Sequence, residues 1–231
     1  MPADVSARIL HPSDFARDAA DFIAAEIESA VAARGLCRLA LSGGNTPRAI
    51  HAELRRRSLP WKQVQITFGD ERCVPPGDPE SNYRMARETL LEAIEIPPGN
   101  VFRIRGEAAP QEAADEYERL LATVAARFGE ARYVHDLLLL GLGEDGHTAS
   151  LFPGSPALAE TTRNVIAATG PKPPPQRVTM TFPLINAARH VAFLVQGAAK
   201  HPLVDEIVAG GISLPAAKVQ PAGGAVTWIV G

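Results

Sequence analysis

The side chains best suited to chemistry fall in four polar stretches that carry glycine. The stretch GLGEDGHTASLFPG, residues 141–154, presents His147. An imidazole titrates near neutral pH, so it is a natural general base for activating water. Asp145, two residues earlier, could orient that ring or merely shape the turn. SGGNTP, residues 42–47, has two glycines that would let backbone N–H groups approach an anion. Pro47 can open a helix whose positive end faces the same place. Ser42, Gly43, Gly44, Asn45 and Thr46 therefore form a candidate phosphate cradle. The plain alternative is a tight turn with Thr46 as an ordinary helix cap. In GDER, residues 69–72, Arg72 could bind phosphate or steady an oxyanion, or simply pair with Asp70 or Glu71. In GAAK, residues 197–200, Lys200 offers a cation, and Arg177, after the proline-rich GPKPPPQ, offers another. The alternative for both is a solvated surface charge.

Other chemistries fit poorly. Residues 141–146 match G-x-G-x-x-G, but a dinucleotide fingerprint must open a helix and be followed by an acid at the next strand end. Here Pro153 and Pro156 prevent a long helix, and NVIAAT (164–169) ends without an acid. The glycine loop at 42–46 lacks the G-K-[ST] ending of a Walker loop, and no G-x-S-x-G elbow exists. None of the six histidines forms an H-x-H or H-x-x-x-H pair, so no metal centre is expected. Cys37 and Cys73 suggest neither a disulfide framework nor a metal site, and Cys73 lacks a partner base.

The elements that must position these residues follow from periodicity. Ser13 can cap a helix running to about Arg34, where Gly35 stops it. Thr46 caps PRAIHAELRRR, YRMARETLLEAI is a helix, and two more run over about 111–128 and 198–209. LCRLAL, VQITF, DLLLL, NVIAAT, HVAFLVQ and AVTWIV read as strands, and VFRI (101–104) as a short one. Continuously apolar strands alternating with helices predict an open α/β domain: a single, mostly parallel sheet with helices on both faces, over residues 1–231. Ligands of such sheets sit beyond the carboxyl ends of the strands. The four polar stretches each follow a strand, so they should converge on one sheet edge.

Composition narrows the partners. The chain has 231 residues, 46% of them hydrophobic, and a net charge of -3. It has no basic excess with which to neutralise a nucleic-acid backbone. No apolar run approaches the roughly 18 residues of a membrane span, and MPADVSARILHPSDFARD shows no secretory h-region. Two unpaired cysteines fit a reduced, cytoplasmic setting.

Four segments carry a family resemblance. LSGGNTPRAIHAEL, TFGDERCVPPGDPESNYRMARETLL, LLLLGLGEDGHTASLFPGSPAL and RVTMTFPLINAARHVAFLVQGAAK together resemble the 6-phosphogluconolactonase family, in the family's order and over nearly the whole chain. The resemblance implies a fold similar to those of glucosamine-6-phosphate deaminase and ribose-5-phosphate isomerase. It implies hydrolysis of 6-phospho-D-glucono-1,5-lactone to 6-phospho-D-gluconate in the oxidative pentose phosphate pathway. His147 would be the base on water, with Arg72 stabilising negative charge on the oxyanion or the phosphate. Asp70 or Asp145 would orient His147 or a substrate hydroxyl. Ser42 to Thr46, with Arg177 and Lys200, would hold the phosphate. No metal or organic cofactor enters this scheme. The only partner expected is the small sugar-phosphate lactone, with no nucleic acid and no membrane, for a monomer or weak homodimer. The deaminase is the rival, with a loop resembling DGHIAFNEPG whose glutamate assists ring opening. Phe152 stands at that position here, and Asp-Glu-Arg replaces the deaminase's Asp-Glu-Tyr. A non-catalytic sugar-phosphate sensor is the third reading.

Overall fold

The computed structural model of the chain describes residues 7–231, so the first residues of the segment searched for a secretory signal lie outside it. Six strands form a fully parallel sheet: β1 (Ala7–Leu10), β2 (Cys37–Leu41), β3 (Val64–Phe68), β5 (Leu137–Gly141), β8 (His190–Val195) and β9 (Ala225–Val230). Their order is β1-β9-β8-β5-β2-β3. Every residue of β2 and β3 is buried, as expected where apolar strands are covered on both faces.

A second, antiparallel sheet of β4 (Asp70–Arg72), β7 (Gln176–Met180) and β6 (Val165–Thr169) stands beside the first. Sequence periodicity does not anticipate it. NVIAAT joins this sheet as β6 and not the parallel one, and DER is a strand although it is wholly charged. Strand alternation explains the charges. Asp70 and Arg72 are half-buried on one face, while Glu71 is buried on the other. VFRI makes only an isolated bridge, from Val101 to Ile66.

Helices α1 (Phe15–Arg34) and α2 (Thr46–Leu54) pack on each other, and α2 also packs on α3 (Asn82–Thr89). Helix α4 (Pro110–Arg127) packs on β6 and β7. Its buried Tyr117 hydroxyl accepts from Phe68 N at 3.0 Å and donates to Phe102 O at 3.1 Å, anchoring α4 at the end of β3. Two short helices, α5 (Phe182–Ile185) and α6 (His201–Val208), complete the chain. The cap of α1 is Asp14, one residue beyond the expected Ser13, and its side chain accepts from Arg17 N. Ser13 instead donates to Asp18.

Candidate active site

The ends of β2, β3, β5 and β8 do converge. They border a cavity of about 510 Å3 whose walls include Ser42 to Pro47, Asp70, Arg72, His147 and Lys200. A second lobe of about 510 Å3 adjoins it, sharing Asp70, Arg72, Gly143, His147, Ala149 and Lys172, and adding Asp145, Phe152 and Arg177.

The first lobe has the features of an anion site. Helix α2 begins at Thr46, not after it, so the preceding residue is Asn45, whose side chain makes no capping bond. The expected Thr46 cap is absent, and the first turn of α2 presents its positive end without an internal partner. Ser42 Oγ is buried with no hydrogen-bond partner among the described residues. A buried unpaired hydroxyl lining a cavity at a helix N-terminus suits a ligand oxygen. Lys200 is held on the opposite wall by donating from Nζ to Leu142 O at 2.7 Å.

His147 borders both lobes. Its Nδ1 lies 2.5 Å from Asp145 Oδ1, and the same oxygen accepts from His147 N at 3.1 Å. Burial works against the charge on Asp145, but these hydrogen bonds outweigh it and hold the carboxyl below its ordinary pKa. Asp145 therefore remains an anion that accepts from Nδ1–H, leaving the Nε2 lone pair to act as a base. The loop needs Gly143 for this, because a Cβ there would stand 2.1 Å from His147 Nδ1. Phe152 packs on the imidazole, with ring centroids 4.4 Å apart. An aromatic ring thus occupies the place where the deaminase-like loop would carry its carboxylate.

Asp70 is engaged elsewhere. Its two carboxylate oxygens accept from Ser150 Oγ at 2.6 Å and Asn82 Nδ2 at 3.1 Å. Ala149, at φ 48°, makes the turn that brings Ser150 there, a conformation costing a non-glycine residue about 1–2 kcal/mol. Asn82 also closes the floor of the first lobe, since a Cβ on Gly43 would fall 2.0 Å from its Oδ1.

Of the two arginines, Arg72 lines both lobes and Arg177 only the second. Arg72 donates from Nη1 to Glu80 O at 2.7 Å and pairs with Glu80 Oε2 at 3.3 Å. Arg177 sits opposite Arg72 in the β4–β7 register and lines only the second lobe. Burial, then the charge of Arg72, lowers its pKa. In the first lobe it is Lys172, not Arg177, that joins Lys200. Lys172, Asn82 and Ser150 escape sequence reading, and Glu71 enters it only as a possible partner of Arg72. Lys172 hides in a proline-rich loop whose composition signals only exposure, and the other three are recruited by contacts remote in sequence.

Among the described residues, no group of three or more His, Cys, Asp or Glu is placed to hold a metal ion. No described helix is long and apolar enough to cross a membrane.

Comparison with known proteins agrees with this fold. Residues 11–228 match the family described as glucosamine-6-phosphate isomerases/6-phosphogluconolactonase. A 6-phosphogluconolactonase of Synechocystis sp. is 43% identical over 205 residues, covering 87% of this chain and 85% of its own. One of Rattus norvegicus is 40% identical, covering 85% of this chain and 79% of its own. The solved 6-phosphogluconolactonase of Trypanosoma brucei superposes with a TM-score of 0.87 at 31% identity, covering 98% of this chain and 97% of its own. A family match over nearly the full chain, on the fold and cavity just described, places the chain in the glucosamine-6-phosphate isomerase/6-phosphogluconolactonase family.

Proposed function

We propose that the chain hydrolyses 6-phospho-D-glucono-1,5-lactone to 6-phospho-D-gluconate, the lactonase step of the oxidative pentose phosphate pathway. The observation that carries this reading is the His147–Asp145 pair, set between an uncapped glycine-loop helix and a second lobe that contains Arg72, Lys172 and Arg177. The Ser42–Thr46 loop and Lys200 bind the phosphate, remote from the reacting carbon, and that binding fixes the lactone carbonyl beside His147. His147 Nε2 removes a proton from water as the oxygen attacks C1. Asp145 stabilises the imidazolium that forms, and Arg72 stabilises the anion on the substrate. The C1–ring oxygen bond then breaks, and the imidazolium returns the proton to the departing oxygen. Asp70, whose oxygens accept from Ser150 and Asn82, accepts in addition from a substrate hydroxyl in this scheme. The scheme uses no metal or organic cofactor.

The same reading takes residues 1–231 as one catalytic domain, cytoplasmic, monomeric or weakly dimeric, acting on a small molecule and on neither nucleic acid nor membrane. Two assays on the purified protein test it. Freshly prepared 6-phosphogluconolactone should be consumed far faster than its spontaneous hydrolysis, and glucosamine 6-phosphate should release no ammonia. Ammonia release without lactone consumption would refute the lactonase reading in favour of a deaminase, and silence in both assays in favour of a sensor.

A further inference from the structure

A phosphate accounts for one lobe of the cavity and leaves the other, of equal volume, without a ligand. The second lobe is built around Arg177, which is only 6% exposed and is held in place by β7. Its Nε has no partner among the described residues, and its Nη2 donates to Lys172 O at 3.2 Å. Burying a guanidinium with unused donors is costly unless an anion arrives to meet it. Lys172 is exposed on the loop that Arg177 holds, lines both lobes, and forms no ion pair among the described residues. The facing acids are Asp145, Asp70 and Glu144. Asp145 is committed to His147, and Asp70 to Ser150 and Asn82, which leaves Glu144 as the uncommitted carboxylate.

Ring opening changes what this lobe would meet. Hydrolysis converts a neutral ester carbon beside His147 into a carboxylate, at the end of the chain opposite the phosphate. We infer that the second lobe is a carboxylate subsite in which Lys172, with Arg177 behind it, takes the C1 carboxylate of an open-chain phosphorylated aldonate. The inference rests on the lactonase reading and adds to it a residue that sets product affinity. Arg72, on the lobes' shared wall, is assigned to the anion formed during attack, so Lys172 is the cation left to follow the opened chain.

The test compares two ligands by calorimetry: 6-phosphogluconate, and glucitol 6-phosphate, which keeps the phosphate but ends in a neutral hydroxymethyl group. Wild-type protein should bind 6-phosphogluconate about tenfold or more tightly than glucitol 6-phosphate, the scale of one charge-assisted contact. K172Q should abolish the preference by weakening 6-phosphogluconate about tenfold more than glucitol 6-phosphate. K200A should weaken both ligands together. Equal weakening of both by K172Q would make Lys172 a phosphate ligand and overturn the inference alone. A preference that survives K172Q would also overturn it. Failure of wild-type protein to bind either ligand would overturn the lactonase reading along with it.

Discussion

The carboxylate of Glu71 lies out of the cavity's sight, yet the geometry makes it a support for the whole β4 side of the site. It is 2% exposed. Oε1 accepts from Arg72 N at 2.8 Å and Asn82 N at 2.7 Å, and Oε2 from Tyr83 N at 2.8 Å and Ser81 Oγ at 3.1 Å. Glu71 thus fastens β4 to the N-terminus of α3, where Asn82 reaches back to Asp70. Glu71→Gln keeps the shape but turns one acceptor oxygen into a donor. Whichever way the amide is placed, at least one buried N–H loses its acceptor, and the remaining bonds lose their charge. An orphaned buried donor costs about 1–3 kcal/mol, and with the weakened bonds the total should reach about 3 kcal/mol. For a chain of 231 residues that is a fall in Tm of roughly 6–12 °C. The loosened Asn82 should raise KM for the lactone as well. Scanning calorimetry and initial rates on the same preparations would show both effects. The pH dependence adds a sign. Burial raises the Glu71 carboxyl above its ordinary 4.5, despite the bonds it accepts from Tyr83, Asn82 and Arg72. A carboxyl raised in the folded state stabilises it at low pH, and that contribution is lost as pH rises through the folded value. A variant melting within 1 °C of wild type, with KM unchanged, would refute this role for Glu71.

Three further outcomes are expected. His147→Ala should lower kcat by about 100-fold or more without unfolding the chain, and near-normal turnover would remove His147 from the mechanism. Lys200→Ala should mainly raise KM, and an unchanged KM would end its assignment to the phosphate. His51 is buried, and Thr89 Oγ1 donates to Met85 O while meeting His51 Nδ1 at 2.8 Å, so Nδ1 carries the proton and Nε2 is left without a partner. Burial, then the charge of Arg48, lowers its pKa from 6.5 to about 4. The stability this contributes is full above 6.5 and lost as pH falls toward 4, about 3 kcal/mol in all. Urea denaturation at pH 7 and 4.5 should show the loss, and it should shrink in His51→Gln; equal losses in both would contradict it.

The two sheets explain which parts of the site were legible in the sequence. Strands β2, β3, β5 and β8 are short apolar runs, and a parallel sheet sends the segment after each one to the same edge. From that rule alone the glycine loop, Asp70, His147 and Lys200 come together, whatever their separation in sequence. The antiparallel sheet offers no such rule. Its β4 is Asp-Glu-Arg, which carries no apolar alternation because one face lines the cavity and the other meets the N-terminus of α3. Its pairing with β7 sets Arg72 opposite Arg177 across about a hundred residues and brings the Lys172 loop to the rim. A charged three-residue strand and a proline-rich loop both look like solvent-facing turns when only local pattern is available. The proposed cradle and base, which the reaction would need before any charge has formed, come from the legible sheet. The cations that would meet the newly formed carboxylate come from the other, so the part of the site hardest to read in the sequence is the part on which product recognition depends.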